Sequence, residues 1–129
     1  MTDVRALATD GVVFVDGEVV VLERAHSPYE GSWVLPGGLV DPDETAREAC
    51  AREIREEVDL DVRPLGLVGL YDDPGRDRRG NASVAFVCVP TDDGEPQPRE
   101  EARRVRTVSP DDLPEMGFDH DQIVRDAIE

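Results

Sequence analysis

The stretch AREIREEVDL, residues 51–60, decides how this chain is read. At 3.6 residues per turn, Glu53, Glu56 and Glu57 fall at i, i+3 and i+4, so three carboxylates share one helical face. Like charges at that spacing cost roughly 0.2–0.5 kcal/mol per pair, and nothing in the local pattern requires glutamate at all three positions. Such a face is a hard, oxygen-rich ligand set of the kind Mg2+ and Mn2+ favour, and a divalent ion turns the repulsion into binding. Arg52 stands beside the array, within a helical turn of Glu48 and Glu56, and can hold it in register. A merely solvated acidic face is the alternative, because so acidic a composition makes glutamate clusters common.

Outward from this stretch, Thr45 followed three residues later by Glu48 predicts a capping box at the helix start. Ala46, Ala49, Cys50, Ile54 and Val58 supply the apolar stripe that faces away from the acid. Upstream, GVVFV (11–15) and EVVVLE (18–23) flank Asp16-Gly17, a strong hairpin signal. The segment AHSPYEGSWVLPGG between hairpin and helix reads as a loop, with Trp33 as a packing anchor rather than a base platform. Downstream, residues 60–71, 81–90 and 104–108 read as strands separated by two polar loops. Ser109-Pro110 predicts a brief turn, and Asp119 a cap for a closing helix through Ile128. Strands before, between and after two helices predict an α/β sandwich on a mixed β-sheet.

With 129 residues the chain is expected to form one domain, 1–129, able to bury roughly two thirds of its unfolded surface. Cys50 and Cys88 have neither CxxC spacing nor a nearby histidine, so they read as ordinary buried thiols in a reducing compartment. No apolar run approaches a membrane span and the start has no signal-like h-region, which sets the expectation of a cytoplasmic protein. The 30 acidic residues face 14 basic ones, all arginine, for a net charge of −16. Molar salt shortens the Debye length to about 3 Å and screens the resulting self-repulsion, so a halophilic setting fits; arginine without lysine also fits a GC-rich genome. Nucleic acid and anionic membranes are excluded as natural partners of such a surface.

From Gly38 the chain runs five residues to Glu44, seven to Arg52-Glu53-Ile54, and on through Arg55, Glu56-Glu57, Val58, Asp59 and Leu60. This resembles the Nudix box of Nudix hydrolases, here 38–60, at eight of nine defining positions. The departure is Asp59, where the family has glycine just past the helix end; aspartate tolerates left-handed φ better than most residues, at about 1 kcal/mol or less. The resemblance implies a Nudix-type α/β/α sandwich and Mg2+-dependent hydrolysis of a nucleoside diphosphate linked to another moiety, with Mn2+ as a substitute. It implies Glu53, Glu56 and Glu57 as metal ligands, aided by a main-chain carbonyl at Gly37 or Gly38, with Arg52 as their orienting partner and Glu44 as a supporting carboxylate. The general base is left between Glu53 and the loop carboxylates Glu100 and Glu101.

The segment YDDPGRDRRGNASVAF (71–86) is similar to the one following the box in archaeal ADP-ribose pyrophosphatases, with Pro74 about fifteen residues beyond it. That similarity implies conversion of ADP-ribose to AMP and ribose 5-phosphate, with Arg76 and Arg79 on the substrate and Arg78 as a further donor; Arg24, closing the second strand, and Gly37, whose bare backbone lets a phosphate approach, are expected to join them. The alternatives are a pyrophosphohydrolase of (oxidised) nucleoside triphosphates and a non-catalytic ADP-ribose-sensing module. Family members commonly pair, so a homodimer is also an expectation.

Overall fold

The computed structural model describes residues 3–129. In chain order these form β1 (Leu7–Val15), β2 (Glu18–Arg24), β3 (Trp33–Val34), β4 (Gly37–Leu39), α1 (Ala46–Val58), β5 (Val62–Tyr71), β6 (Ala82–Pro90), β7 (Ala102–Val108) and α2 (His120–Ala127). The sheet is mixed, as expected. β1 runs parallel to β6, from Leu7 opposite Ala82 to Val13 opposite Cys88, and antiparallel to β2 and β4. β5 lies antiparallel on the far side of β6, and β7 pairs with β2.

The valine runs of the hairpin serve two cores at once, because alternate strand residues point to opposite faces. Val13, Val20 and Leu22 pack with Cys50, Ile54 and Val58 of α1. Val12, Val19 and Val21 pack with Ile123 and Val124 of α2. Helices therefore cover both faces of the sheet, giving the α/β/α sandwich. Burial of a side chain such as Ile54, fully enclosed here, contributes about 2 kcal/mol. Cys50 and Cys88 lie buried in the α1 core, their sulfurs 3.8 Å apart.

Three local expectations need correction. β1 begins at Leu7 rather than residue 11, because Thr9 and Asp10 are buried polar residues that interrupt the apolar pattern without interrupting the pairing with β6. The segment read as loop contains β3 and β4, which the hydrogen-bond partners Leu22 and Ala8–Asp10 recruit from outside the segment. Asp119 precedes α2 but its side chain makes no cap hydrogen bond; it is drawn instead to Arg76. At Ser109 the brief turn forms, with the Asp112 amide donating to the Ser109 carbonyl at 3.0 Å.

Candidate active site

The helix that carries the acidic face is closed at both ends by its own residues. Thr45 Oγ1 accepts the Glu48 amide at 3.1 Å, and Glu48 Oε1 accepts the Thr45 amide at 2.9 Å. At the other end Asp59 adopts φ 58°, the left-handed conformation that the family glycine would take without a Cβ. Between these caps, Arg52 gathers the carboxylates. Its Nε and Nη2 donate to the two oxygens of Glu44 at 3.0 and 2.6 Å, and its Nη1 donates to Glu53 at 2.9 Å and Glu56 at 3.1 Å. The Arg52 hydrogen bonds and the Asp41 amide hold the Glu44 carboxyl down to about 2. Glu48, the other partner open to Arg52 from spacing, is occupied by the cap.

Glu57 leaves this cluster and turns inward. It is buried, and its Oε1 accepts the Gly37 amide at 2.8 Å. Burial pushes its carboxyl up to about 8, and burial likewise raises that of Glu53. β4 can lie this close because Gly37 and Gly38 carry no side chains. A Cβ at Gly38 would stand 2.5 Å from Glu53 Oε2, and one at Gly37 would stand 2.7 Å from Asp10 Oδ1. The glycine backbone and the carboxylates therefore meet in one open cleft of about 380 Å3.

The cleft collects most of the residues that the sequence singled out. Glu53, Glu56 and Glu57 form one wall with Gly37 and Gly38, and Arg24, Arg79, Glu100 and Glu101 line it as well. Arg24 is tied at its base by Nε to the Pro28 carbonyl at 2.6 Å, and burial and the nearby Arg79 push its guanidinium below the usual range. Arg79 pairs with Asp77 at 2.9 Å and stays half-exposed. The two guanidinium carbons lie 5.6 and 5.7 Å from the ring centre of Phe118. Arg76 lines the cleft too, with its fork paired to Asp119 at 2.8 and 2.7 Å and its Nη1 donating to the Asn81 carbonyl at 3.1 Å. That pairing braces the N-terminus of α2. Trp33 lies outside the cleft lining and is flanked by Arg104 and Arg106.

Asp10, Phe118 and His120 line the cleft without having been anticipated. Asp10 is buried, which alone would raise its pKa, yet His120, Ser83 and Arg76 hold it below the usual carboxylate range. In the sequence Asp10 falls just before the strand read at 11–15, so nothing there marked it. Phe118, at φ 54°, stacks on His120 with centroids 5.1 Å apart and meets Tyr29 at 4.5 Å.

Among the described residues no three histidine, cysteine or carboxylate side chains stand together as a closed metal cage; Arg52 holds Glu53 and Glu56 while the Gly37 amide holds Glu57. The donor set nevertheless fits a hard dication. Three carboxylates, one of them buried beside a single amide partner, border a backbone that no side chain shields, and oxygen is their only ligating atom.

An α/β/α sandwich whose capped acidic helix lies over a glycine strand, with arginines lining the same cleft, defines a class of protein built around phosphate-rich ligands. A family model described as the NUDIX domain matches residues 4–127, and the chain belongs to the Nudix family. It is 35% identical over 121 residues to an ADP-ribose pyrophosphatase from Methanocaldococcus jannaschii, covering 94% of this chain and 72% of that protein. It is also 34% identical over 104 residues to a MutT-like protein from Streptomyces ambofaciens, covering 81% and 63% of the two chains. Among solved structures, a NUDIX hydrolase from Nitrosomonas europaea superposes with a TM-score of 0.85 at 25% identity, over 97% of this chain and 71% of that one. An ADP-ribose pyrophosphatase from Streptococcus suis gives 0.79 at 25% identity, over 98% and 93%. No helix of the described residues is long and apolar enough to cross a membrane.

Proposed function

We propose that this chain, acting as one Nudix unit, is a Mg2+-dependent pyrophosphohydrolase that converts ADP-ribose and water to AMP and ribose 5-phosphate. The observation that carries the reading is the placement of Arg24 and Arg79 in the same cleft as Glu53, Glu56 and Glu57. A strongly acidic protein repels a diphosphate, so a site for one needs cations on both sides: guanidinium groups from the protein and dications recruited by carboxylates. The 35% identical archaeal relative, named for that activity, supports the choice of substrate.

In this reading Glu53, Glu56 and Glu57, with a carbonyl of Gly37 or Gly38, hold the ions. When bound, a dication neutralises diphosphate charge and makes a water more acidic. Arg52 keeps Glu53 and Glu56 aimed through the bonds described above. Arg24 and Arg79 bind the anionic oxygens of the diphosphate and fix its course along the cleft. Glu100 and Glu101, at the exposed rim of the cleft, stand as acceptors for the proton of the attacking water. Attack at one phosphorus then breaks the bridging P–O bond and releases the two monophosphates. The acidic, lysine-free composition suits a salt-rich cytoplasm, and exposed Leu65, Leu67 and Leu70 on the edge strand β5 suit pairing of two copies.

The test is a substrate panel in high KCl with MgCl2, reading AMP and ribose 5-phosphate. Release of both from ADP-ribose is the expected result. Pyrophosphate release from nucleoside triphosphates without action on ADP-ribose would replace this reading, as would tight ADP-ribose binding without turnover.

A further inference from the structure

The cleft contains a buried imidazole that the chemistry above does not use. His120 is 4% exposed, and its Nδ1 accepts the Leu35 amide at 2.9 Å. That nitrogen therefore carries no proton. The ring proton sits on Nε2, which faces Asp10 Oδ2 at 3.5 Å, and the same oxygen accepts Ser83 Oγ–H at 2.5 Å. A general base needs a free lone pair turned to the substrate. His120 has none: one nitrogen is an occupied acceptor and the other faces a buried carboxylate at 3.5 Å.

What the imidazole holds is the backbone leading to the glutamates. Leu35, Pro36 and Gly37 are fixed one after another: the Leu35 amide by His120, the Pro36 carbonyl by the Gly11 amide at 2.9 Å, and the Gly37 amide by Glu57 at 2.8 Å. Proline has no N–H, so the Leu35 and Gly37 amides are the only backbone donors of this tripeptide. Leu35 is 2% exposed, so without an acceptor at Nδ1 its amide would be buried and unpaired. The segment relieves that by shifting, and Gly37 shifts with it. We infer that His120 is a positioning residue, the Nδ1 acceptor that fixes the Leu35–Gly37 backbone and thereby the seat of Glu57.

The inference rests on the hydrolase reading for its kinetic arm alone, because the ring tautomer and the Leu35 amide are read without substrate or metal. Nitrogen NMR of the intact protein is expected to show an unprotonated, hydrogen-bonded Nδ1, with the Leu35 amide among the slowly exchanging ones. In His120→Asn the side-chain oxygen takes the Nδ1 position, and kcat should stay within about threefold of the parent. In His120→Phe the ring still stacks but accepts nothing: kcat should fall about 30-fold or more while KM for ADP-ribose changes little, and MnCl2 alone should bind about tenfold more weakly by EPR. If the Phe variant does not fold, His120→Gln serves in its place, since its amide reaches the Nε2 position and leaves Leu35 without its acceptor. A protonated Nδ1 would overturn the inference, as would equal kcat and Mn2+ affinity in the Asn and acceptor-free variants.

Discussion

The two helices of this molecule look alike in a sequence and work in opposite ways. α1 is built from local information. Its caps, its apolar stripe and its acidic face lie at fixed offsets within fifteen residues of chain, from Thr45 to Asp59. α2 is built from distant partners: Asp119 and Arg76 lie 43 residues apart, Asp126 and Tyr71 55, and His120 and Leu35 85. α1 bears the charges, and α2 holds the wall against which those charges are aimed. Chemistry can be concentrated on a short self-capped helix only if another element fixes the opposing surface.

Breaking α1 should have the largest consequence. Replacing Glu57 or Glu53 with glutamine removes a charge from the ion-binding set, and kcat/KM for ADP-ribose should fall about 1000-fold, equivalent to about 4 kcal/mol of transition-state stabilisation. Circular dichroism should show the fold retained. Activity within a few fold of the parent would mean the acidic face is not the centre of the chemistry.

The next effect separates Glu57 from every exposed glutamate of α1. Its folded pKa, about 8, lies above the unfolded value, so the metal-free native state binds the extra proton between the two. Its contribution is fully present below the unfolded pKa and is lost as pH rises towards 8, a change on the order of 3 kcal/mol. Urea titrations in EDTA should therefore show stability falling from pH 5 to pH 8, and saturating MgCl2 should recover part of the loss at pH 8. A flat profile in EDTA would show that Glu57 is ionised at its amide partner without help.

Arg76 and Arg79 sharpen the comparison on the α2 side. Arg76→Ala leaves the Asp119 carboxylate unpaired and should destabilise the protein by about 2–3 kcal/mol in a thermal melt. Arg79→Ala should raise KM and, because it takes the guanidinium from the buried Asp77 carboxylate, also destabilise the protein by about 1–2 kcal/mol in the same melt. If Arg76→Ala changed KM alone, its fork would belong to the substrate after all.

These contrasts also explain what could be read without a structure. The Asp16-Gly17 hairpin, the capping box and the three glutamates are short-range patterns, and each was visible as residue spacing. β3 and β4 were not: at two and three residues they have no periodicity and exist because β2 and β1 pair with them. Asp10 and His120 acquire meaning only once β1 lies beside β6 and α2 docks against β1 and β5, bringing His120 to the Leu35 amide. Nothing local in its charged loop announces that Asp119 will pair with the fork of Arg76. The inward turn of Glu57 was equally hidden, since its two neighbours on the same face stay within reach of Arg52.

The smallest effect concerns the one departure from the family pattern. Asp59→Gly relieves a left-handed residue at the helix end but removes its exposed bridge to Arg99 at 3.0 Å. The net gain should be about 0.5 kcal/mol, read as a small rise in Tm with kcat unchanged. A loss of stability would mean that the bridge outweighs the backbone strain.

The most direct test of the central claim is a Mn2+ titration followed by EPR, comparing the parent with a Glu53→Gln/Glu57→Gln variant in the absence of substrate. The account predicts saturable binding in the parent and at least tenfold weaker binding in the variant. Equal affinity in both would contradict it, because the ions would then be held somewhere other than the acidic face of α1.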